Sequence, residues 1–445
     1  MQTPLILRFA AGALLFAFPW LCASQALTAK MDAYVQSYAQ TNNFSGVILV
    51  KQKDKTIYQK AFGFANLEHQ VPHQINTVFQ LASVSKPFTA AAILWLEAHG
   101  KLKVSDSLSK FVPDYPHGDQ ITLHHLLTHT SGIPNINNFP AYDTITRFPQ
   151  TPDKLIPVFK NLPLNFTPGE RYEYSNSNYN LLAFIVEQAS GKSFGDFLQE
   201  TFFTPLGMND TRHRADVKQI VPRLATGYEA KGKNALQQAV YTDWSAKIGN
   251  GSLYSTVEDL YKWDRAMYSD KILPKAAREK MLTNHIDNTG YGWFLRPLFD
   301  KKRAYINGRS PGYSAYLVRF LEEDVCIIVL SNNYVPVATQ IGNDLAAILF
   351  NQPYTAPRLG TTNLSKTEMQ QLVGTYQFGA DFFRPNDVLH FREVKDELIC
   401  EWGAVLPLGN NKFILRDFWV ECSFEKDAAG QPVLVVGESR AVKIK

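Results

Sequence analysis

A chain of 445 residues is long for a single core and predicts two or three domains. Its composition of 45% hydrophobic, 13% aromatic and 19% charged residues excludes a disordered chain, a collagen-like repeat and a coiled coil, each of which needs a strong bias. Net charge is only +4, with 45 Lys and Arg interleaved among 41 Asp and Glu, so no basic stripe is available to track nucleic acid.

Met1 to Arg8 carries one positive charge and no acid, Phe9 to Ala23 is almost wholly apolar, and Ser24-Gln25-Ala26 offers small residues two apart. That order predicts a secretory signal peptide over residues 1–26, since the apolar stretch is too short to cross a bilayer core of ~30 Å. Cys22 follows Leu21, where lipid attachment calls for a small residue, so cleavage rather than lipid anchoring is expected. No later segment reaches the roughly 18 apolar residues a membrane helix needs. The mature chain is therefore expected to be exported to the periplasm, with no stable membrane span.

Thr28 to Gln40 spaces Met31, Tyr34, Val35 and Tyr38 as an amphipathic helix. Phe44 to Lys51 and Thr56 to Asn66 read as strands joined through Gln52-Lys53-Asp54-Lys55. A helical middle follows, broken by Pro-rich loops such as Asn135 to Pro157. Tyr313 to Leu321 and Val325 to Ser331 form an antiparallel pair around Glu322-Glu323-Asp324, and Val337 to Phe350 returns to helix. Strands at both ends with helices between predict an α/β (α+β) unit over residues 27–350. Its N- and C-terminal segments share one antiparallel sheet flanked by helices, with a helical subdomain.

Asn351 to Leu364, with two prolines, a glycine and no periodicity, reads as a linker. Over residues 365–445 short apolar runs recur between turn residues (Val388 to Phe391, Leu398 to Trp402, Lys412 to Leu415, Trp419 to Phe424, Val433 to Val436), which predicts a small all-β barrel or sandwich. Cys400 and Cys422 fall in two of these runs and are either a disulfide or two buried thiols.

The chemistry gathers on one serine. Ser83-Val84-Ser85-Lys86 is followed by Pro87, the apolar run Phe88 to Leu96 and then His99-Gly100, the frame of a buried helix with Ser83 at its N-terminus. Residues three apart share a helix face, so the Lys86 ammonium lies beside the Ser83 hydroxyl. A serine is a weak nucleophile until a base takes its proton, and the helix N-terminus adds free N–H groups that suit an oxyanion. Ser-x-x-Lys also occurs at Ser107–Lys110 and Ser423–Lys426, but neither opens a long helix. Further on, Tyr174-Ser175-Asn176 precedes a predicted helix, Tyr179 to Gln188. Tyr174 is a candidate proton shuttle if a neighbouring lysine lowers its pKa, and the Asn176 amide can pair with Lys86 or a substrate carbonyl.

With these motifs the chain resembles the serine β-lactamase and penicillin-binding-protein superfamily, closest to class C β-lactamases and related exported esterases and D-amino-acid peptidases. The resemblance spans roughly Phe44 to Leu349 and includes, in family order, Ile121 to Gly132, Pro205 to Thr211 and Gly249 to Asp259. The C-terminal segment resembles a lipocalin-like domain that trails some members. The resemblance implies Ser83 as the acylated nucleophile, Lys86 as its general base or electrostatic partner, and Tyr174 as the base in acylation and the acid for the leaving group, with the first proton going to either lysine or tyrosine. It implies an oxyanion hole from the Ser83 N–H and the strand at Gly308 and Arg309, and it implies neither metal nor organic cofactor. The third family motif, Lys or His then a small residue then Gly, aligns with Ile306-Asn307-Gly308, so isoleucine replaces the cation that would hold a substrate carboxylate. Arg309 substitutes for it if its side chain points inward.

Other motifs fail on context. Gly308-Arg-Ser-Pro-Gly312 has the spacing of a nucleophile elbow, but Pro311 lacks the N–H the elbow requires. His125 and His129 are four apart like zinc ligands, without the accompanying glutamate, and read as part of a helix packed beneath the site. Gly191-Lys192-Ser193 lacks the first glycine of a phosphate loop. The sequence thus predicts an exported serine hydrolase acting through an acyl-enzyme on a small-molecule or peptide acyl donor: an ester, amide or D-amino-acid peptide rather than an efficiently hydrolysed β-lactam. The alternative is an envelope ligand-binding relative that keeps the cleft without turnover. Oligomeric state is not encoded in any of these motifs.

Overall fold

The first and last strands of the 27–350 segment do meet in one sheet. In the computed structural model, which describes residues 10–357, 359, 363–380, 382 and 384–445 (10–24 by backbone alone), five antiparallel strands form it. They are β1 (Gly46–Gln52), β2 (Lys55–Phe62), β3 (Arg303–Ser310), β4 (Tyr313–Phe320) and β5 (Val325–Ser331), in the order β3-β4-β5-β1-β2. Gly46 faces Ser331 and Gln52 faces Val325 across the central pair.

Every residue of β5 is buried because both sheet faces are covered. Cys326, Ile328 and Leu330 share a core with Phe88 and Ile93 of the helix Lys86–Ala98. Val325, Ile327 and Val329 share another with Tyr34 and Tyr38 of the helix Ala10–Ala39 and with Ile341 and Leu345 of the helix Ala338–Leu349. Each large side chain buried this way contributes about 1.5–3 kcal/mol. The arrangement leaves β3 at one edge of the sheet, where Gly308 meets the turn that carries Ser83.

The N-terminal helix is longer than the spacing of Met31 to Tyr38 predicts. It starts at Ala10 and runs unbroken through the position of the expected cleavage, while residues 1–9 of the expected signal peptide lie outside the described residues. Among the described residues no helix is long and apolar enough to cross a membrane. The Asn135 to Pro157 stretch, predicted as loop, holds short helices at Tyr142–Ile145 and Pro152–Lys160, with Pro152 and Asp153 in the first turn of the latter.

The C-terminal segment closes into an eight-stranded antiparallel barrel running from Gly374–Phe378 to Ser439–Lys443, whose first and last strands pair at Phe378 and Ala441. Cys400 and Cys422 are buried free thiols, so the disulfide option is discarded. A helix that the strand pattern missed, Lys366–Leu372, precedes the barrel. Its signal is the capping box of Ser365 with Glu368. Within the expected linker, Tyr354 stands edge-on against Tyr34 at 5.5 Å and Leu359 is buried. Arg416, fully buried in a barrel turn, donates from Nε to Asn43 Oδ1 at 2.8 Å and through its Nη atoms to the Asn42 carbonyl at 2.9 Å and the Gly232 carbonyl at 2.6 Å.

Candidate active site

Ala82–Ser85 is a 3-10 turn and the α-helix begins only at Lys86, so Ser83 sits just ahead of the helix rather than within its first turn. Pro87 occupies an opening position where its missing N–H costs nothing. Tight 3-10 winding superposes residues three apart, which brings Lys86 Nζ to 3.1 Å from Ser83 Oγ. Ala82 is held at φ 47°, a left-handed conformation that costs a residue with a Cβ about 1–3 kcal/mol. The strain sits immediately before the candidate nucleophile.

Lys86 is almost completely buried without a carboxylate partner; its Nζ donates to Ser83 Oγ, to Asn176 Oδ1 at 2.8 Å and to the Asn250 carbonyl at 2.9 Å. Burial, reinforced by the charge of Lys247, holds its pKa well below the ordinary lysine value. The Tyr174 hydroxyl lies 2.8 Å from Ser83 Oγ on another side. Its pKa is pushed up to about 12 by burial, against a smaller lowering from the Ser83 hydrogen bond. Burial dominates at this position, so the condition for a phenolate, a Tyr174 pKa lowered by a neighbouring lysine, is not met. Three groups therefore converge: an amine whose hold on its proton is weakened by burial, an alcohol, and a phenol that keeps its proton.

Asn176 opens the helix Asn176–Ser190, one turn earlier than predicted. Its amide is fully engaged, accepting from Lys86 and donating through Nδ2 to Asn137 Oδ1 at 2.9 Å, which fits a role in positioning Lys86. His129 packs its ring 4.5 Å from that of Tyr174, and its Nδ1 accepts the Ser175 N–H at 3.2 Å. Burial, followed by the charge of Lys86, lowers its pKa to about 3, so it stays neutral as packing. The short helix Leu123–Leu127 ends before His129, and His125 instead caps it through Thr122. Among the described residues no group of acids, histidines and cysteines could hold a metal ion.

On the opposite wall runs the β3 edge. Tyr305 exchanges both backbone hydrogen bonds with Phe294 across this edge, at 2.9 and 2.8 Å. Antiparallel alternation then directs the N–H groups of Asn307 and Arg309 to the same outer side. Gly308 touches the nucleophile turn: a Cβ there would lie 2.2 Å from the Leu81 carbonyl oxygen and 3.1 Å from Ser83 N. Backbone approach of this closeness brings the strand that carries the Arg309 N–H against the turn that carries the Ser83 N–H. The Arg309 side chain does not turn inward. It stacks over Tyr334 at 3.8 Å, donates to the Tyr334 carbonyl at 3.0 Å and reaches the Asp417 carbonyl of the barrel. It does not stand in for the missing third-motif cation. Ile306 is buried against Lys86, Tyr174, Trp293 and Phe294, leaving that side of the serine apolar.

Sequence reasoning missed the Asn250 carbonyl, because a backbone acceptor has no residue signature, and missed Lys247, which lies just ahead of the Gly249 to Asp259 motif. Ser107–Lys110 forms a surface 3-10 turn and Ser423–Lys426 lies in a barrel strand, so neither repeats the arrangement.

The family profile described as Beta-lactamase matches residues 31–351. Penicillin-binding protein 4* of Bacillus subtilis is 30% identical over 448 residues, covering 93% of this chain and 98% of the relative. Among solved structures, an octameric penicillin-binding protein homologue from Pyrococcus abyssi superposes with a TM-score of 0.66 at 23% identity, over 93% of this chain and 99% of the other. D-amino acid amidase from Ochrobactrum anthropi SV3 superposes with a TM-score of 0.65 at 22% identity, over 74% and 98%. These two structural likenesses speak for the fold.

Proposed function

The chain belongs to the Beta-lactamase family of serine hydrolases, and from that premise we propose that it is an exported, periplasmic hydrolase that forms an acyl-enzyme on Ser83 and takes esters, amides or D-amino-acid peptides in preference to β-lactams. The observation that carries the reading is Ser83 Oγ held between Lys86 Nζ at 3.1 Å and Tyr174 Oη at 2.8 Å. Export is supported by the charged and apolar N-terminal order of residues 1–26.

The protonation states assign the steps. Lys86, its pKa lowered by burial, accepts the Ser83 proton as Oγ bonds to the acyl carbon, and the carbonyl oxygen gains charge between the N–H groups of Ser83 and Arg309. Collapse breaks the bond to the leaving group, which takes the Tyr174 proton. The phenolate formed beside the Lys86 ammonium is then neutralised by it. Deacylation repeats the sequence with water or an amine as nucleophile. General acid–base participation of this kind accounts for about 10²–10⁴ in rate. Ile306 removes the partner a leaving-group carboxylate would need, which supports esterase or amidase action over efficient β-lactam hydrolysis.

Intact-mass analysis after exposure to a fluorophosphonate and to an ester and penicillin panel tests the reading. One adduct on the native chain and none on Ser83→Ala is expected. Equal adducts on both, or none on the native chain with every reagent, overturns it.

A further inference from the structure

We propose that Lys247 recognises an anionic group on the acyl portion of the substrate, so that charge selection in this protein lies on the acyl side of Ser83 rather than on the leaving-group side. The proposal rests on the hydrolase reading above and adds the substrate class to it.

At the Arg309–Ser310 end of β3 lies a cavity of about 280 Å³ lined by Asn137, Tyr142, Lys247, Arg309 and Ser310 among others. Lys247 ends the 3-10 turn Trp244–Lys247, and Gly251 fits between its Cβ and the Ala82 backbone: a Cβ on Gly251 would lie 3.6 Å from the one and 3.5 Å from the other. The lysine thus starts one backbone layer away from Ser83. It is only 5% exposed, yet the one hydrogen bond of its Nζ among the described residues goes to the Tyr142 hydroxyl at 3.2 Å. An ammonium carries three donors. A buried one committed to a single neutral acceptor is costly unless a further partner arrives.

The rest of the lining points the same way. Arg147 and Asp143 are both exposed at its rim, Asp143 being the single acid among the lining residues, so Lys247 is the buried charge that faces the cavity. The cavity is tied to the catalytic groups, since Asn137 Oδ1 accepts from Asn176. It opens at the far end of β3, past Arg309, whereas Ile306, Trp293, Phe294 and Tyr174 cluster at the other side of the serine. Tyr174 is the acid for the departing group, so the apolar side receives the leaving group. The cationic side receives what stays on the enzyme. A carboxylate one short chain away from the acyl carbon is the ligand class that matches.

The test compares matched esters. Mono-p-nitrophenyl adipate carries a carboxylate on the acyl side and its methyl ester is the neutral control; m-carboxyphenyl butyrate against phenyl butyrate places the charge on the leaving side. The native protein should favour the adipate over its methyl ester by about tenfold or more in kcat/KM, the scale of a charged hydrogen bond, and should show no such preference in the leaving-side pair. Lys247→Gln should bring the acyl-side ratio near one through KM, and Lys247→Arg should retain part of it. The ratio cancels any effect of Lys247 on Lys86, which acts on both esters. A native ratio near one, an unchanged ratio in Lys247→Gln, or a preference confined to the leaving-side pair overturns the proposal, the first and last without reference to any variant. Fluorophosphonate labelling of the same native sample separates the two readings: labelled protein without the acyl-side preference refutes this proposal alone, and protein that is not labelled refutes the hydrolase reading.

Discussion

Gly308→Ala examines the contact on which the oxyanion hole depends. The added methyl would sit 2.2 Å from the Leu81 carbonyl oxygen, 3.1 Å from Ser83 N and 3.2 Å from Ala82 Cβ. Carbon and oxygen settle at about 3.3–3.6 Å, so β3 and the nucleophile turn must part by about 1 Å. Neither side yields easily: Leu81 N–H is bonded to the Leu253 carbonyl at 2.8 Å, and β3 is laddered to β4 from Arg303 to Ser310. A displacement of that size at a reacting centre costs about 10²-fold in rate, and loss of one oxyanion donor about 10²–10³. Overpacking adds a destabilisation of about 1–3 kcal/mol. Steady-state hydrolysis of a p-nitrophenyl ester, with thermal unfolding in parallel, measures both. The loss should appear in kcat, with the variant still folded. A variant within threefold of the native kcat and with an unshifted midpoint would show that β3 does not press on the serine as described.

The pH profile follows from the buried groups. If neutral Lys86 is the base, kcat/KM rises with pH through its lowered pKa to a plateau, and Tyr174, at about 12, leaves no falling limb below pH 10; a descending limb near neutrality contradicts the assignment. Stability follows a related sign. His129 titrates at about 3 when folded and near ~6.5 when unfolded, so the unfolded chain binds the extra proton between those values, and this group's contribution to stability is lost as pH falls through that window, as urea midpoints should report. Ile306→His restores a donor on the leaving-group side and should raise kcat/KM for a cephalosporin relative to a neutral p-nitrophenyl ester by about tenfold, the lower end of a charged hydrogen bond. A native protein that already prefers the cephalosporin contradicts the reasoning.

Much of the fold was legible because its signals are local and repeated. Alternating apolar runs gave the barrel strands, and Pro87 with Gly100 framed the helix behind Ser83. The sheet was legible from strands at both ends of the 27–350 segment, since connections favour a single shared core. What failed needed three-dimensional information. The Ser83–Lys86 spacing is the same for a 3-10 turn and an α-helix, so the pattern could not show that the serine precedes the helix. The Tyr174 motif carries no record of its own burial, which reverses the direction of its pKa. Arg309 reads as a cation beside the cleft until Tyr334 and Asp417 claim its guanidinium. Lys247 became visible only when folding buried it with the Tyr142 hydroxyl as its one hydrogen-bond partner among the described residues.

The pairing of β1 with β5 has a consequence for how the chain must be made. Ser331, which donates to the Ser45 carbonyl at 2.8 Å, follows it by 286 residues. Until that much polypeptide has emerged from the ribosome, the opening hairpin waits with an open, sticky margin, and the serine's turn has no edge to lean on. Long-range closure of this kind slows maturation and favours holding by chaperones in the interval. Any fragment ending short of Ser331 should therefore clump rather than turn over substrate.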